Sequence, residues 1–243
     1  MFMADRAKNL VKKAFNLAGL DIIRACQNPR HTMLGIKRLP IRTVIDVGAN
    51  EGQFAKWISS IFSEARIYCF EPLPRPFKAL NGWAESRAGL VKTFNAALGD
   101  EEGIARMHRH LEHDTSSSLL YTTGTNEKLY PFTKKQDVIN IKITTLDKAM
   151  TNLSSELVPD VLLKLDVQGY EDRVIRGGSE TLGKTRVCIL EVCLDSLYDG
   201  QASFSGLLNQ MRAMGFRYAG NLEQAYARDG HVVFLDAVFL RDA

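Results

Sequence analysis

The chain of 243 residues holds only four cysteines, Cys26, Cys69, Cys188 and Cys193, and no CxxC spacing among them. That count excludes a disulfide-stapled scaffold and a zinc ribbon, and reduced thiols in a cytoplasmic protein are the expectation. No run of about 18 apolar residues is present, so a membrane-spanning helix is excluded, and a signal peptide is not expected. Charge of one sign is also scarce: 31 basic against 28 acidic residues leave a net +3, too little to argue for a nucleic-acid face. The glycine turn at Gly48–Gly52 is neither a GxGxxG fingerprint nor a P-loop, because no Gly-Lys-Ser/Thr follows it, which disfavours a pyrophosphate ligand there.

What is present is globular: 45% hydrophobic and 24% charged residues, with no repeats and no low-complexity tracts. From about Ala4 to Ile23 the residues Ala7, Leu10, Val11, Ala14, Phe15 and Ala18 recur at spacings of three and four. That is the stripe of an amphipathic helix, flanked by Arg6, Lys8, Lys12 and Lys13. The expectation is a cap packed on the main domain or on a second copy, with peripheral membrane contact as the alternative. A linker through Asn28–Pro40 follows, so residues 1–40 are set apart from a domain at 41–243.

From Thr43 the pattern changes to short β-branched apolar runs alternating with helical stripes. Thr43–Val47, Arg66–Phe70 and Leu90–Asn95 read as strands, with helices after the first and at Pro74–Arg87; this is the order of a parallel sheet with crossover helices. Between about 99 and 146 the helical period disappears, and Gly103–His110 and Val138–Thr145 read as an inserted β segment. The regular order resumes with strand Val161–Asp166, helix Glu171–Leu182, strand Val187–Cys193, helix Phe204–Met214, and strands Phe216–Ala219 and Val232–Leu240.

In such sheets ligands bind beyond the carboxyl ends of the strands. The first turn is Asp46-Val47-Gly48-Ala49-Asn50-Glu51-Gly52, whose glycines allow close approach of backbone to a ligand. The second strand ends in Phe70-Glu71-Pro72, about 20 positions on, where a carboxylate can accept hydrogen bonds from both ribose hydroxyls; a solvated acid before a helix is the alternative. An adenosine without phosphates fits both features.

These two segments, with Asn95-Ala96-Ala97-Leu98-Gly99-Asp100, Leu163-Lys164-Leu165-Asp166-Val167-Gln168-Gly169-Tyr170-Glu171 and Ile189-Leu190-Glu191-Val192, resemble the FkbM family of S-adenosylmethionine-dependent methyltransferases. The likeness runs in order from about Arg42 to Phe216. It implies an α/β fold of the class I methyltransferase, Rossmann-like kind. The sheet would have about seven strands, mostly parallel with an antiparallel last strand, helices on both faces, and the inserted β segment between the third and fourth core strands. It implies O-methylation of a hydroxyl on a sugar, glycolipid or polyketide-like small molecule. By position, Asp46, Gly48, Ala49, Asn50 and Gly52 would surround the methionine part of S-adenosylmethionine. Glu71 with Pro72 would hold the ribose, Asn95, Ala96 and Ala97 would lie near adenine, and Ser117, from the run Ser116–Ser118, near the methionine carboxylate.

Alternation along the strand ending in Lys164-Leu165-Asp166 places Lys164 and Asp166 on one side. Asp166 is the candidate general base and also a candidate cofactor contact, with Glu191 as second carboxylate or orienting partner, and Lys164 is a catalytic candidate or the ion-pair partner of Asp166. Mg²⁺ held by Asp166 and Glu191 is an alternative way to acidify the acceptor. Glu171 complements a helix dipole or joins the site. His108 and His110 share a face, so a metal site with His113 is conceivable, and a solvated or acceptor-contacting edge is the plainer reading. The competing functions are a nucleic-acid methyltransferase, disfavoured because the turn after Asp166 is not an Asn/Asp-Pro-Pro-aromatic one, and a non-catalytic nucleoside-binding protein. The acceptor and the oligomeric state, a homo-oligomer included, stay open. All of this requires Asp46, Glu71 and Asp166 to meet at one pocket.

Overall fold

A computed structural model describes residues 2–87, 89–151, 153 and 157–242. The first element, helix α1 (Phe2–Leu17), ends earlier than its stripe predicts, and the chain from residue 18 to 24 is irregular. Its described apolar residues are not packed on the domain: Leu10 is 73% and Leu17 is 91% exposed, and Val11 and Phe15 are also exposed. The expected cap contact is therefore not made by these residues, and the side chains of Arg6, Ala7 and Lys8 lie outside those described.

The stretch expected as a linker carries a short helix α2 (Pro29–Thr32), started by Pro29 and capped by the Asn28 side chain on His31 N–H. The turns after it bury Met33 and Ile36 completely, so this stretch belongs to the domain core.

Then β1 (Thr43–Val47), α3 (Gln53–Ser59), β2 (Arg66–Phe70), α4 (Pro74–Glu85) and β3 (Val91–Phe94) follow as the alternating pattern predicts. Strand β4 (Ala97–Gly99), β5 (Gly103–His110), α5 (Gly124–Leu129) and β6 (Gln136–Thr145) make the insertion. Helix α6 (Leu146–Thr151), β7 (Val161–Leu165), α7 (Glu171–Arg176), α8 (Ser179–Gly183), β8 (Thr185–Cys193), α9 (Phe204–Ala213), β9 (Arg217–Tyr226) and β10 (Val232–Leu240) complete the chain. The single helix expected over 171–182 is two, because a Cβ at Gly177 would lie 2.0 Å from the Gly99 carbonyl oxygen. The chain breaks there to let β4 approach.

Among the described residues, seven strands form one sheet in the order β3-β2-β1-β7-β8-β10-β9, parallel except for β10, which is inserted antiparallel between β8 and β9. A second sheet, β4-β6-β5, is the insertion. Period two divides the main sheet into two cores. Ile45, Val47, Leu163, Leu165 and Leu190 pack under α6 to α9, and Val44, Ile67, Leu162, Ile189 and Val238 pack under α3, α4 and the Met33–Ile36 turns. Cys69, Cys188 and Cys193 are buried free thiols and Cys26 is an exposed one. No described helix is long and apolar enough to cross a membrane.

Candidate active site

Strand order reverses between β1 and β7, and a cavity of about 630 Å³ opens there beyond their carboxyl ends. The turn after β1 is drawn over the end of β7. Gly48 has φ +80°, and a Cβ on it would sit 1.9 Å from the Asp166 carbonyl oxygen, so only glycine fits. Asn50, also in the left-handed region at φ +48°, donates its N–H to Glu71 Oε2 at 2.8 Å. Glu71 Oε1 accepts Leu73 N–H at 2.8 Å, and Asn95 Nδ2 donates to the Glu71 and Pro72 carbonyls. Burial raises the Glu71 carboxyl to about 7 despite the two N–H groups that favour its ionised form. Each of its oxygens keeps a lone pair for a further donor.

Of the expected cofactor residues, Gly48, Ala49, Asn50, Glu71, Pro72, Ala96, Ala97, Ser117 and Asp166 line the cavity, as do Lys164 and Glu191. Three do not. Gly52 faces Leu80 and Trp83. Asn95 fixes the backbone around Glu71 instead of facing the cavity. Asp46 lies fully buried beneath the wall, beside Lys164 in the β1–β7 register, and both its oxygens lack a hydrogen-bond partner. Burial raises Asp46 to about 6, partly offset by the Lys164 charge. The three carboxylates meet at one place, two on the cavity wall and one directly behind it.

Beyond β7 the side chains form a linked set. Lys164 Nζ contacts Asp166 Oδ2 at 2.7 Å, so the ion-pair reading of Lys164 is the geometry found, and its ammonium sits 5.4 Å from the Phe54 ring centre. Burial opposes the Lys164 charge, but Asp166, Asp46 and Asp236 outweigh it and hold the group above its ordinary value. Gln168 was not singled out by sequence, yet it is the hub. Its Nε2 donates to Asp166 Oδ1 at 2.8 Å and to Glu191 Oε1 at 2.6 Å, and its Oε1 accepts the buried Tyr198 hydroxyl at 2.6 Å. Its backbone is in the left-handed region at φ +56°, and its carbonyl accepts Ser118 Oγ at 2.7 Å, which ties the insertion to the site. Burial together with the Asp166 and Asp236 charges raises Glu191 well above the usual range.

Asp236 was also missed. It faces Glu191 across the β8–β10 register, lines the cavity and is raised to about 6 by burial. The signal was available, as a lone acid in the apolar run Val232–Leu240. Arg30 from α2 and Glu223 from β9 form an ion pair at the same cavity, with Arg30 6.0 Å from the Trp57 ring centre.

The metal expectations do not hold. No cluster of three or more His, Cys, Asp or Glu among the described residues is arranged for a cation. The Asp166 and Glu191 oxygens that face each other are bridged by an amide and balanced by an ammonium. His110 is buried, with Nδ1 at 2.6 Å from the Thr133 carbonyl and Nε2 at 3.0 Å from Thr122 Oγ1. His108 is buried against Tyr121, and His113 meets Thr115 and Ser116. His108 and His110 are structural groups of the insertion, whereas His113 stands exposed on its surface. Glu171 is buried too, accepting the Val167 and Gly169 N–H groups, so it shapes the turn after β7.

The cavity suits a cationic nucleoside: a close backbone cradle at Gly48–Asn50, a carboxylate with spare acceptors at Glu71, and an unpartnered buried carboxylate at Asp46 that a nearby positive charge would stabilise. Comparisons with known proteins find relatives by sequence and by structure. A 2-O-methyltransferase, NoeI, of Sinorhizobium fredii is 29% identical over 178 residues, covering 70% of this chain and 71% of that protein. The 31-O-demethyl-FK506 methyltransferase FkbM of Streptomyces tacrolimicus is 25% identical over 211 residues, 79% of each. A solved methyltransferase FkbM from Methylobacillus flagellatus aligns over 83% of this chain and 44% of that one, with a TM-score of 0.47 and 9% identity. The family described as Methyltransferase FkbM domain matches residues 46–218, so the glycine turn, Glu71, Asp166 and Glu191 all fall inside the match, and this chain belongs to that family of S-adenosylmethionine-dependent methyltransferases.

Proposed function

We propose that the chain methylates a hydroxyl oxygen of a sugar or polyketide-like small molecule. The observation that carries this reading is the far wall of the cavity. There Asp166, Glu191 and Asp236 offer acceptors for hydroxyl groups, with Gln168 holding the first two in place, and Phe54 and Trp57 offer apolar faces. The O-methylating relatives support the same choice of atom.

Gly48, Ala49, Asn50 and Glu71 would hold S-adenosylmethionine, which supplies a methyl group already activated on a sulfonium. The protein's work is then alignment of the acceptor and removal of one proton. Asp166 and Glu191, locked to each other by Gln168, are suited to orient the hydroxyl. Asp166 already accepts a donor on each oxygen, Lys164 Nζ on Oδ2 and Gln168 Nε2 on Oδ1. Among the described residues no hydrogen bond ends on Asp236, and burial brings it toward neutral pH, so it is the better-placed proton acceptor.

Calorimetry with S-adenosylmethionine tests the cofactor half, and absence of binding defeats the reading. Transfer of labelled methyl to a panel of methyl glycosides and hydroxylated macrolactones, against RNA, tests the acceptor half; label in RNA alone refutes it. Asp236→Asn is expected to lower turnover about a hundredfold or more while leaving cofactor affinity within about twofold. Full turnover in Asp236→Asn with loss in Asp166→Asn would return the base to Asp166.

A further inference from the structure

The charge of the chain is unevenly placed. Residues 1–24 contain five of the 31 basic residues, Arg6, Lys8, Lys12, Lys13 and Arg24, and two of the 28 acidic ones, Asp5 and Asp21. The remaining 219 residues hold 26 of each, so the entire +3 excess resides in this segment. The same segment holds helix α1, 16 residues long. At 100° per residue Leu10, Val11, Ala14, Phe15 and Leu17 fall on one side, with Lys12 and Lys13 on its two flanks. Residues 10 to 21 are exposed throughout, and Leu20 and Ile23 extend the apolar surface past the helix. Lys12 has Asp21 at 3.8 Å, a contact between two exposed groups that contributes little to holding the helix down.

An exposed apolar stripe of this length between basic flanks needs an occupant. A second copy would bring like-charged flanks together, whereas a bilayer with anionic headgroups accepts the apolar side and neutralises both flanks. We propose that α1 and the segment to Arg24 lie in the interface of an anionic lipid surface. Arg30, at the cavity mouth, comes only 13 positions after Leu17 at the end of α1, so a chain seated in this way keeps that mouth close to the membrane. This proposal does not depend on which acceptor is methylated.

The test is flotation of the full chain with phosphatidylcholine vesicles, either pure or containing about 30% phosphatidylglycerol, at low and high salt. Binding is expected to the anionic vesicles only and to fall as salt rises. The double variant Lys12→Glu, Lys13→Glu is expected to weaken partition at least about thirtyfold. Phe15→Glu is expected to abolish it. Both variants change exposed positions, and calorimetric titration with S-adenosylmethionine is expected to show unchanged affinity. Absence of flotation overturns the proposal, as does equal flotation on neutral vesicles that ignores the lysine changes. A concentration-dependent dimer in light scattering that Phe15→Glu dissolves, without vesicle binding, also overturns it and assigns the stripe to a second copy.

Discussion

Gly48 is where the turn after β1 meets the end of β7, and Gly48→Ala tests that junction. The added Cβ would lie 1.9 Å from the Asp166 carbonyl oxygen, against the 3.0 Å below which such contacts essentially do not occur, so the turn after β1 and the end of β7 must part by about 1.1 Å. Two costs combine. Holding alanine at φ +80° costs roughly 1–2 kcal/mol. Forcing a methyl into a closed contact costs about 1–3 kcal/mol. Relief is hard to find, because Gly48 and Ala49 N–H are bonded to the Phe70 carbonyl and Asp166 N–H to Val47, each at 3.0 Å. The expected loss is therefore about 2–5 kcal/mol in urea unfolding. The same displacement separates Ala49 and Asn50 from Asp166 across the cavity, and misplacements near 1 Å cost on the order of a hundredfold in alignment. Calorimetry is expected to show cofactor affinity at least about tenfold weaker. A Gly48→Ala protein that unfolds within about 0.5 kcal/mol of the parent and binds S-adenosylmethionine equally well would refute the close approach of the two strands.

Gln168→Leu leaves Asp166 Oδ1, Glu191 Oε1 and the Tyr198 hydroxyl without the amide, and about 2–4 kcal/mol of stability should be lost, read by urea unfolding; a loss under about 0.5 kcal/mol would show that Gln168 is not the hub. Stability should also depend on pH with a definite sign. Glu71 and Glu171 are raised from 4.5 to about 7 and Asp46 from 3.8 to about 6, all chiefly by burial, so across that window the folded chain binds more protons than the unfolded one. The stabilisation is full below about pH 4 and is lost progressively as pH rises through about 7, each tenfold change in a group's acidity on folding contributing about 1.4 kcal/mol at most. Ligand-free protein whose unfolding free energy is flat or rising between pH 5 and 8 would contradict this.

The sheet was legible in sequence wherever a strand is a β-branched run closed by a turn, as at Thr43–Val47 and Arg66–Phe70, because both the run and its stop are local chemistry. Strand β9 was legible only to Ala219, since Gly220, Asn221, Glu223 and Gln224 carry no alternation. They continue the strand through irregular pairing with β10. The break at Gly177 and the burial of Met33 and Ile36 are decided by partners far along the chain, Gly99 in one case and the sheet face in the other. The site divides in the same way. The glycine turn and Glu71 declare themselves through backbone geometry, whereas Gln168, Asp236, Arg30 and Trp57 acquire a role only from convergence.

That convergence has an electrostatic consequence that no single segment carries. Asp46, Lys164 and Asp236 come from three strands, with Glu191 on a fourth between the last two, and period two places all four on the same side of the sheet, joined by Asp166 just past β7. One ammonium faces four carboxyl groups, and burial raises Asp46, Glu191 and Asp236 because none of them has a cation of its own. A neutral or anionic ligand would leave that excess uncompensated, whereas a sulfonium held in this cavity would lower the energy of the ionised forms. Binding of S-adenosylmethionine near pH 6.5 should therefore release protons, so the calorimetric heat should change with the ionisation enthalpy of the buffer. The demethylated product, which lacks the sulfonium charge, should release fewer. Equal proton release by cofactor and product would mean that the carboxyl groups do not sense the sulfonium, and the charge argument for this cavity would fail.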